Sequence, residues 1–125
     1  MGKYEFIKSF CLSQKGTVED YKEEWQATRY LVGGKMYAMR GGDGQGNPII
    51  TVKLPPEEGL ALRDMYAGDI LPGYYMNKEH WNSVYFSGSV PDAVLGQMLQ
   101  TAYKTVLGSL SKKAQAEILG KEENQ

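Results

Sequence analysis

The sequence predicts one small domain in which helices and strands are mixed, and three observations carry that expectation. The dipeptide Gly33-Gly34 separates two apolar-rich stretches, 25–32 and 35–40, as a tight two-residue hairpin turn demands. Apolar residues recur with helical period over 3–14, and more regularly over 94–110. The length of 125 residues suits a single domain with a real core, since a chain of this size buries roughly two thirds of its unfolded surface. Residues 1–113 form the expected domain, and the polar stretch 114–125 reads as an extension or a frayed helix end.

Taken in order, Tyr4, Phe6, Ile7, Phe10 and Cys11 share one face of a first helix. Cys11 sits on that face as a small core residue, and as the single cysteine it rules out an internal disulfide and fits a reducing, cytoplasmic compartment. Residues 15–21 connect to the hairpin, and Glu19, Asp20, Glu23 and Glu24, the one dense acidic run, read as a solvated loop. In the next strand Ile50, Val52 and Leu54 alternate with Ile49, Thr51 and Lys53 as on a half-buried surface. Pro55, Pro56, Glu57 and Glu58 open a second helix, because proline is tolerated in a first turn and carboxylates favour the positive end of the macrodipole. Leu60, Leu62, Met65 and Tyr66 give it an apolar side, and Gly68 ends it. Residues 82–87 form a further strand, after which a long core helix starts near Pro91-Asp92.

The composition excludes several classes. Fourteen basic and fifteen acidic residues leave a net charge of −1, without the global attraction of an avid nucleic-acid binder. No apolar run approaches the roughly 20 residues a membrane span needs, and the N-terminus lacks a secretory pattern. The glycine-rich "RGGDGQGN" is followed by a strand rather than a helix and lacks a G-K-[ST] ending, so it is no phosphate cradle. Asp43, Gln45 and Asn47 alternate like calcium ligands, but Pro48 stands where glycine belongs and no glutamate closes the loop. A mobile hairpin connection is the expectation. No cofactor or metal is expected either, since one histidine and one distant cysteine exhaust the soft ligands.

The segment "PGYYMNKEHWNSV" concentrates three aromatics, the only histidine and several polar groups without helical or strand period. Pro72-Gly73 marks a turn, Asn77 is a good N-cap, and Trp81 would be delivered toward the core. Tyr74, Tyr75 and Trp81 then brace a long connection. His80 has no nucleophile signature beside it, so structural hydrogen bonding is preferred to catalysis. The alternative is a ligand or partner surface at Tyr74, Asn77 and His80.

"ATRYLVGGKMYAMRG", "ITVKLPPE", "PGYYMNKEHWNSV" and a terminal helix with "AYKTVLGSLSKK" resemble, in that order and spacing, the MmcQ/YjbR family. The resemblance implies an α+β fold like that of frataxin and CyaY: an antiparallel sheet with helices packed on one face, flanked by N-terminal and C-terminal helices, in a monomer. It also implies the family's "double wing" DNA-binding label, which rests on fold likeness. In this chain Arg29, Lys35, Arg40 and Lys53 outnumber the one acid, Asp43, between residues 25 and 54, and Lys78 adds to them. DNA is therefore the first expected partner of a non-enzymatic protein. With about three phosphates neutralised, the salt slope would be only about −3.

Overall fold

The computed structural model describes residues 2–73 and 76–120. Six antiparallel strands form one sheet in the order β1-β2-β3-β4-β6-β5. They are β1 (Val18–Lys22), β2 (Ala27–Val32), β3 (Lys35–Gly42), β4 (Pro48–Lys53), β5 (Ile70–Pro72) and β6 (Trp81–Tyr85), joined by helices α1 (Lys3–Ser13), α2 (Pro56–Met65), α3 (Asp92–Gly108) and α4 (Lys112–Leu119). The fold is α+β, with the N-terminal and C-terminal helices the sequence implied. No helix among the described residues is long and apolar enough to cross a membrane.

Side chains of successive strand residues alternate between the two faces of the sheet, and the apolar pattern places the helices. Tyr30, Ala38, Ile50, Val52 and Val84 form the floor on which Ile7 and Cys11 of α1 and Leu95, Met98, Leu99, Ala102 and Val106 of α3 pack. The hairpin turn forms at Gly33-Gly34, with φ values of 59° and 80° that glycine adopts without strain. A bulge between Tyr30 and Leu31 lets both Tyr37 and Ala38 enter the core. Tyr37 stacks edge-on against Tyr103, its ring centroid 5.6 Å away, and its hydroxyl lies 2.9 Å from that of Thr17.

Several elements depart from the sequence expectation. The connection at 15–21 contains edge strand β1, whose charges are neutralised sideways: Arg29 donates to both oxygens of Asp20, and Tyr30 and Lys8 donate to Glu19. Glu19 and Asp20 therefore belong to a strand, and Glu23 and Glu24 to a 3-10 turn (Glu23–Trp25), rather than to one loop. In α2 only Leu62 and Tyr66 reach the core, while Leu60 and Met65 are exposed. The contact face of α2 is instead Gly59, which lies against the buried side chain of Asn82. At the chain's polar end, the Ser111 side chain caps α4, and Ile118 and Leu119 pack against the core.

The glycine-rich connection after β3 is tethered rather than loose. Asp43 is buried and accepts hydrogen bonds from the backbone N–H groups of Gln45 and Asn47, from Asn47 Nδ2 and from the Tyr85 hydroxyl. Both carboxylate oxygens are thus committed to donors. These donors, Asn47 first, push the Asp43 pKa down to about 2. Because an unfolded aspartate titrates near ~3.9, Asp43 stabilises the fold above that pH, and the contribution is lost as pH falls toward 2. Urea midpoints measured from pH 5 to pH 2 should fall less steeply for Asp43→Asn than for the parent chain.

Candidate functional site

The sheet's second face, opposite the helices, is not the solvated surface that strand alternation suggested. Ile49 and Thr51 of β4 are 3% and 0% exposed, and Ala27, Met39 and Trp81 are buried with them. None of these five belongs to the main core cluster, so they make a second, smaller layer. Two features cover it: the 3-10 turn at Glu23–Trp25, and the connection between β5 and β6.

Among the described residues that connection is braced by main chain and by the Asn77 side chain. Asn77 Oδ1 accepts from the N–H groups of Glu79 and His80, and Asn77 O accepts from Trp81 N–H. The Gly73 N–H donates to Trp81 O at 2.7 Å, and a Cβ at Gly73 would lie 2.5 Å from Trp81 Cβ. The His80 carbonyl accepts from Leu54 N–H and from Asn82 Nδ2, tying the connection to β4 and β6. Its imidazole takes no part in this brace. The ring is 41% exposed, with Nε2 3.5 Å from the Glu79 carboxylate. Structural hydrogen bonding is therefore a property of the His80 backbone, not of its side chain. Trp81 points away from the helical core, into the second layer. Tyr74 and Tyr75 lie outside the described residues.

Between the 3-10 turn and Met76 a cleft of about 490 Å³ opens over this layer, within the size range of small-molecule sites. Its floor is Ala27, Met39, Gly41, Ile49 and Thr51, supplied by three adjacent strands, and its walls are Glu23, Glu24, Trp25, Gln26 and Met76. Gly41 pairs with Ile49, so a side chain there would rise into the cleft, where a Cβ would meet only Ala27 Cβ at 3.4 Å and backbone beyond. Glycine inside a strand commonly marks such an approach site. Gln26, which closes the 3-10 turn, is the one non-glycine residue with positive φ among the described residues, at 50°. A strained wall residue of this kind is common at ligand sites. The Thr51 hydroxyl lies 2.8 Å from that of Ser83, its cross-strand partner on β6.

The basic residues singled out in the sequence do not share one surface. Arg29 pairs with Met39 and Arg40 with Thr28, so the two arginines project from opposite faces. Arg29 is held by Asp20 at 2.8 and 2.6 Å, and that pairing lowers the Asp20 pKa. Arg40 lies on the helix side, with its guanidinium carbon 4.1 Å from the Tyr4 ring centroid and Nη2 donating to Thr28. Lys35 is exposed at the hairpin turn, Lys53 lies 6.0 Å from the Trp81 ring centroid, and Lys78 donates to the Gly73 carbonyl. Among the described residues no group of three or more His, Cys, Asp or Glu side chains is placed to hold a metal.

Cys11 is fully buried beneath α1, and burial pushes its thiol up to about 12. A thiol that stays protonated is a poor nucleophile. A thiol-exchange reagent at pH 8 should label native protein only as fast as the fold opens, and the rate should climb in urea through the unfolding transition.

The sheet with helices on one face and a cleft on the other defines a small α+β domain. Within that class, the chain belongs to the MmcQ/YjbR family: the family model described as YjbR matches residues 12–105. Among curated relatives, the uncharacterized protein YjbR of Escherichia coli K12 is 27% identical over 107 residues, covering 86% of this chain and 89% of that one. The uncharacterized protein YbdF of Escherichia coli O157:H7 is 33% identical over 89 residues, covering 71% of each. Among solved structures, Deinococcus radiodurans DR2400, with its DUF419 domain, superposes with a TM-score of 0.83 at 29% identity, over 96% of this chain and 89% of that one. A Pseudomonas syringae protein with a TM-score of 0.72 at 22% identity, covering 85% of this chain and 99% of the other, shares the fold.

Proposed function

We propose that the protein is a non-enzymatic binding module whose working surface is the cleft on the second sheet face. The observation that carries this is the floor itself: strands from three parts of the chain present small or soft side chains there, and Gly41 omits one. In the fold's own terms this face needs no recess, because the core lies on the other side. The ligand surface suggested by sequence at Tyr74, Asn77 and His80 moves accordingly. Asn77 is committed to capping, His80 pairs with Glu79, and among the described residues of that connection it is Met76 that lines the cleft.

The DNA reading attached to the family draws less support from the geometry. Of its five residues, Arg29 is committed to Asp20, Arg40 lies on the opposite face and Lys78 is bonded to main chain. That leaves Lys35 and Lys53, too few phosphate contacts for useful affinity at physiological salt.

Titrating 15N-labelled protein with an aromatic fragment library and, separately, with duplex DNA at two salt concentrations tests both. The cleft reading expects fragment-induced shifts at Ala27, Met39, Gly41 and Thr51 that disappear in Gly41→Val, a folded variant with the recess filled. Salt-sensitive shifts with DNA at Arg29, Lys35, Arg40, Lys53 and Lys78, with the cleft silent to every fragment, would reverse the assignment.

A further inference from the structure

We infer, building on the cleft reading above, that its ligand is a flat aromatic organic cation. Charge is the first reason. Among the described residues, the ionisable side chains lining the cleft are Glu23 and Glu24, both exposed on one wall, and neither enters an ion pair. The nearby cations are engaged. Arg29 is chelated by Asp20, and Lys22 Nζ and Arg29 Cζ lie 5.6 and 5.8 Å from the Trp25 ring centroid. Around this wall Asp20, Glu23 and Glu24 face Lys22 and Arg29, while Lys53 shares the sheet face but stands beside Trp81. Among the described residues no lysine, arginine or histidine lines the cleft, so a phosphate or carboxylate ligand would find two negative charges and no basic side chain there to receive it.

Shape and surface chemistry give the second reason. The missing side chain at Gly41 and the small one at Ala27 leave a level floor, and a planar ring can lie on it. The thioethers of Met39 and Met76 are polarizable groups that pack well against aromatic rings.

Three probes of one shape separate the possibilities: N-methylquinolinium, quinoline at pH 8 and 2-naphthoate, respectively cationic, neutral and anionic. Each is titrated against 15N-labelled full-length protein, with amide shifts read at Ala27, Met39, Gly41 and Thr51. N-Methylquinolinium should bind about tenfold tighter than quinoline at low salt, a preference in keeping with two partly screened carboxylates, and 2-naphthoate should bind weakest. Glu23→Gln/Glu24→Gln should erase the difference between cation and neutral probe. Equal affinity for quinoline and N-methylquinolinium, or a preference that survives the double variant, would overturn the cation assignment and leave the cleft reading standing. Silence of these amides toward all three probes would overturn both.

Discussion

Trp81→Ala should lower unfolding free energy by about 3–5 kcal/mol, while His80→Ala should change it by less than about 0.5 kcal/mol. The two residues are neighbours in the least regular stretch of the sequence, and the structure separates their roles. Trp81 is 8% exposed and fills the second layer beside Lys53, and its backbone joins the Gly73 and Asn77 hydrogen bonds. Removing the indole leaves a void under a connection with no helix to collapse into it. The imidazole of His80 faces solvent beside Glu79, in a pairing of the exposed kind that contributes little. For a domain of this length, 4 kcal/mol corresponds to a fall in Tm on the order of 15 °C. Thermal unfolding followed by circular dichroism reads both variants. A destabilised His80→Ala would mean that the imidazole does the bracing.

Leu99→Ala should be as severe, at about 3–5 kcal/mol, for a different reason. Leu99 is fully buried in α3, the helix that packs across β2, β3 and β4, and its truncation opens a cavity between α3 and the sheet. Cavity cost scales with the void that stays unfilled, and a helix held at the centre of the sheet cannot collapse into the gap. Trp81 and Leu99 lie in separate layers on opposite faces of the sheet. Their effects should therefore add to within about 0.5 kcal/mol in the double variant. In urea titrations at neutral pH, Leu99→Ala should shift the midpoint without changing m. At temperatures where that variant remains folded, its cleft should keep the parent's response to aromatic probes, because the cavity lies on the other side of the sheet.

What the sequence revealed, and what it concealed, follows from how each element is stabilised. The Gly33-Gly34 hairpin was legible because positive φ at two adjacent positions is a local requirement with a local signature. The long helix α3 was legible because eight of its residues are buried on one side. Edge strand β1 was hidden because Val18–Lys22 is mostly polar and its charges find partners only across the strand, in Arg29, Tyr30 and Lys8. Strand β5 has three residues and exists through its pairing with β6. The basic patch misled because residues close in sequence were counted together, although Arg29 and Arg40 lie on opposite sides of the sheet.

The cleft was beyond local pattern because it needs the turn at Glu23–Trp25 and the connection bearing Met76 to meet over β2, β3 and β4. One signal was available. Gly41 continues the strand Lys35–Gly42 past Met39, and a strand glycine often marks a close approach. The same strand supplies Met39 to the floor, so the recess was written partly in Gly41, within the "RGGDGQGN" run that the sequence assigned to a connection.

The methyl groups of the methionines offer the most direct test of where ligands bind. With protein carrying 13C-methyl methionine and an aromatic cation as probe, intermolecular NOEs should connect the probe to Met39 and Met76, which line the cleft. None should appear to Met65 on the outside of α2 or to Met98 in the helical core. NOEs to Met65 or Met98, with Met39 and Met76 unaffected at saturating probe, would place binding on the helix side and contradict the account.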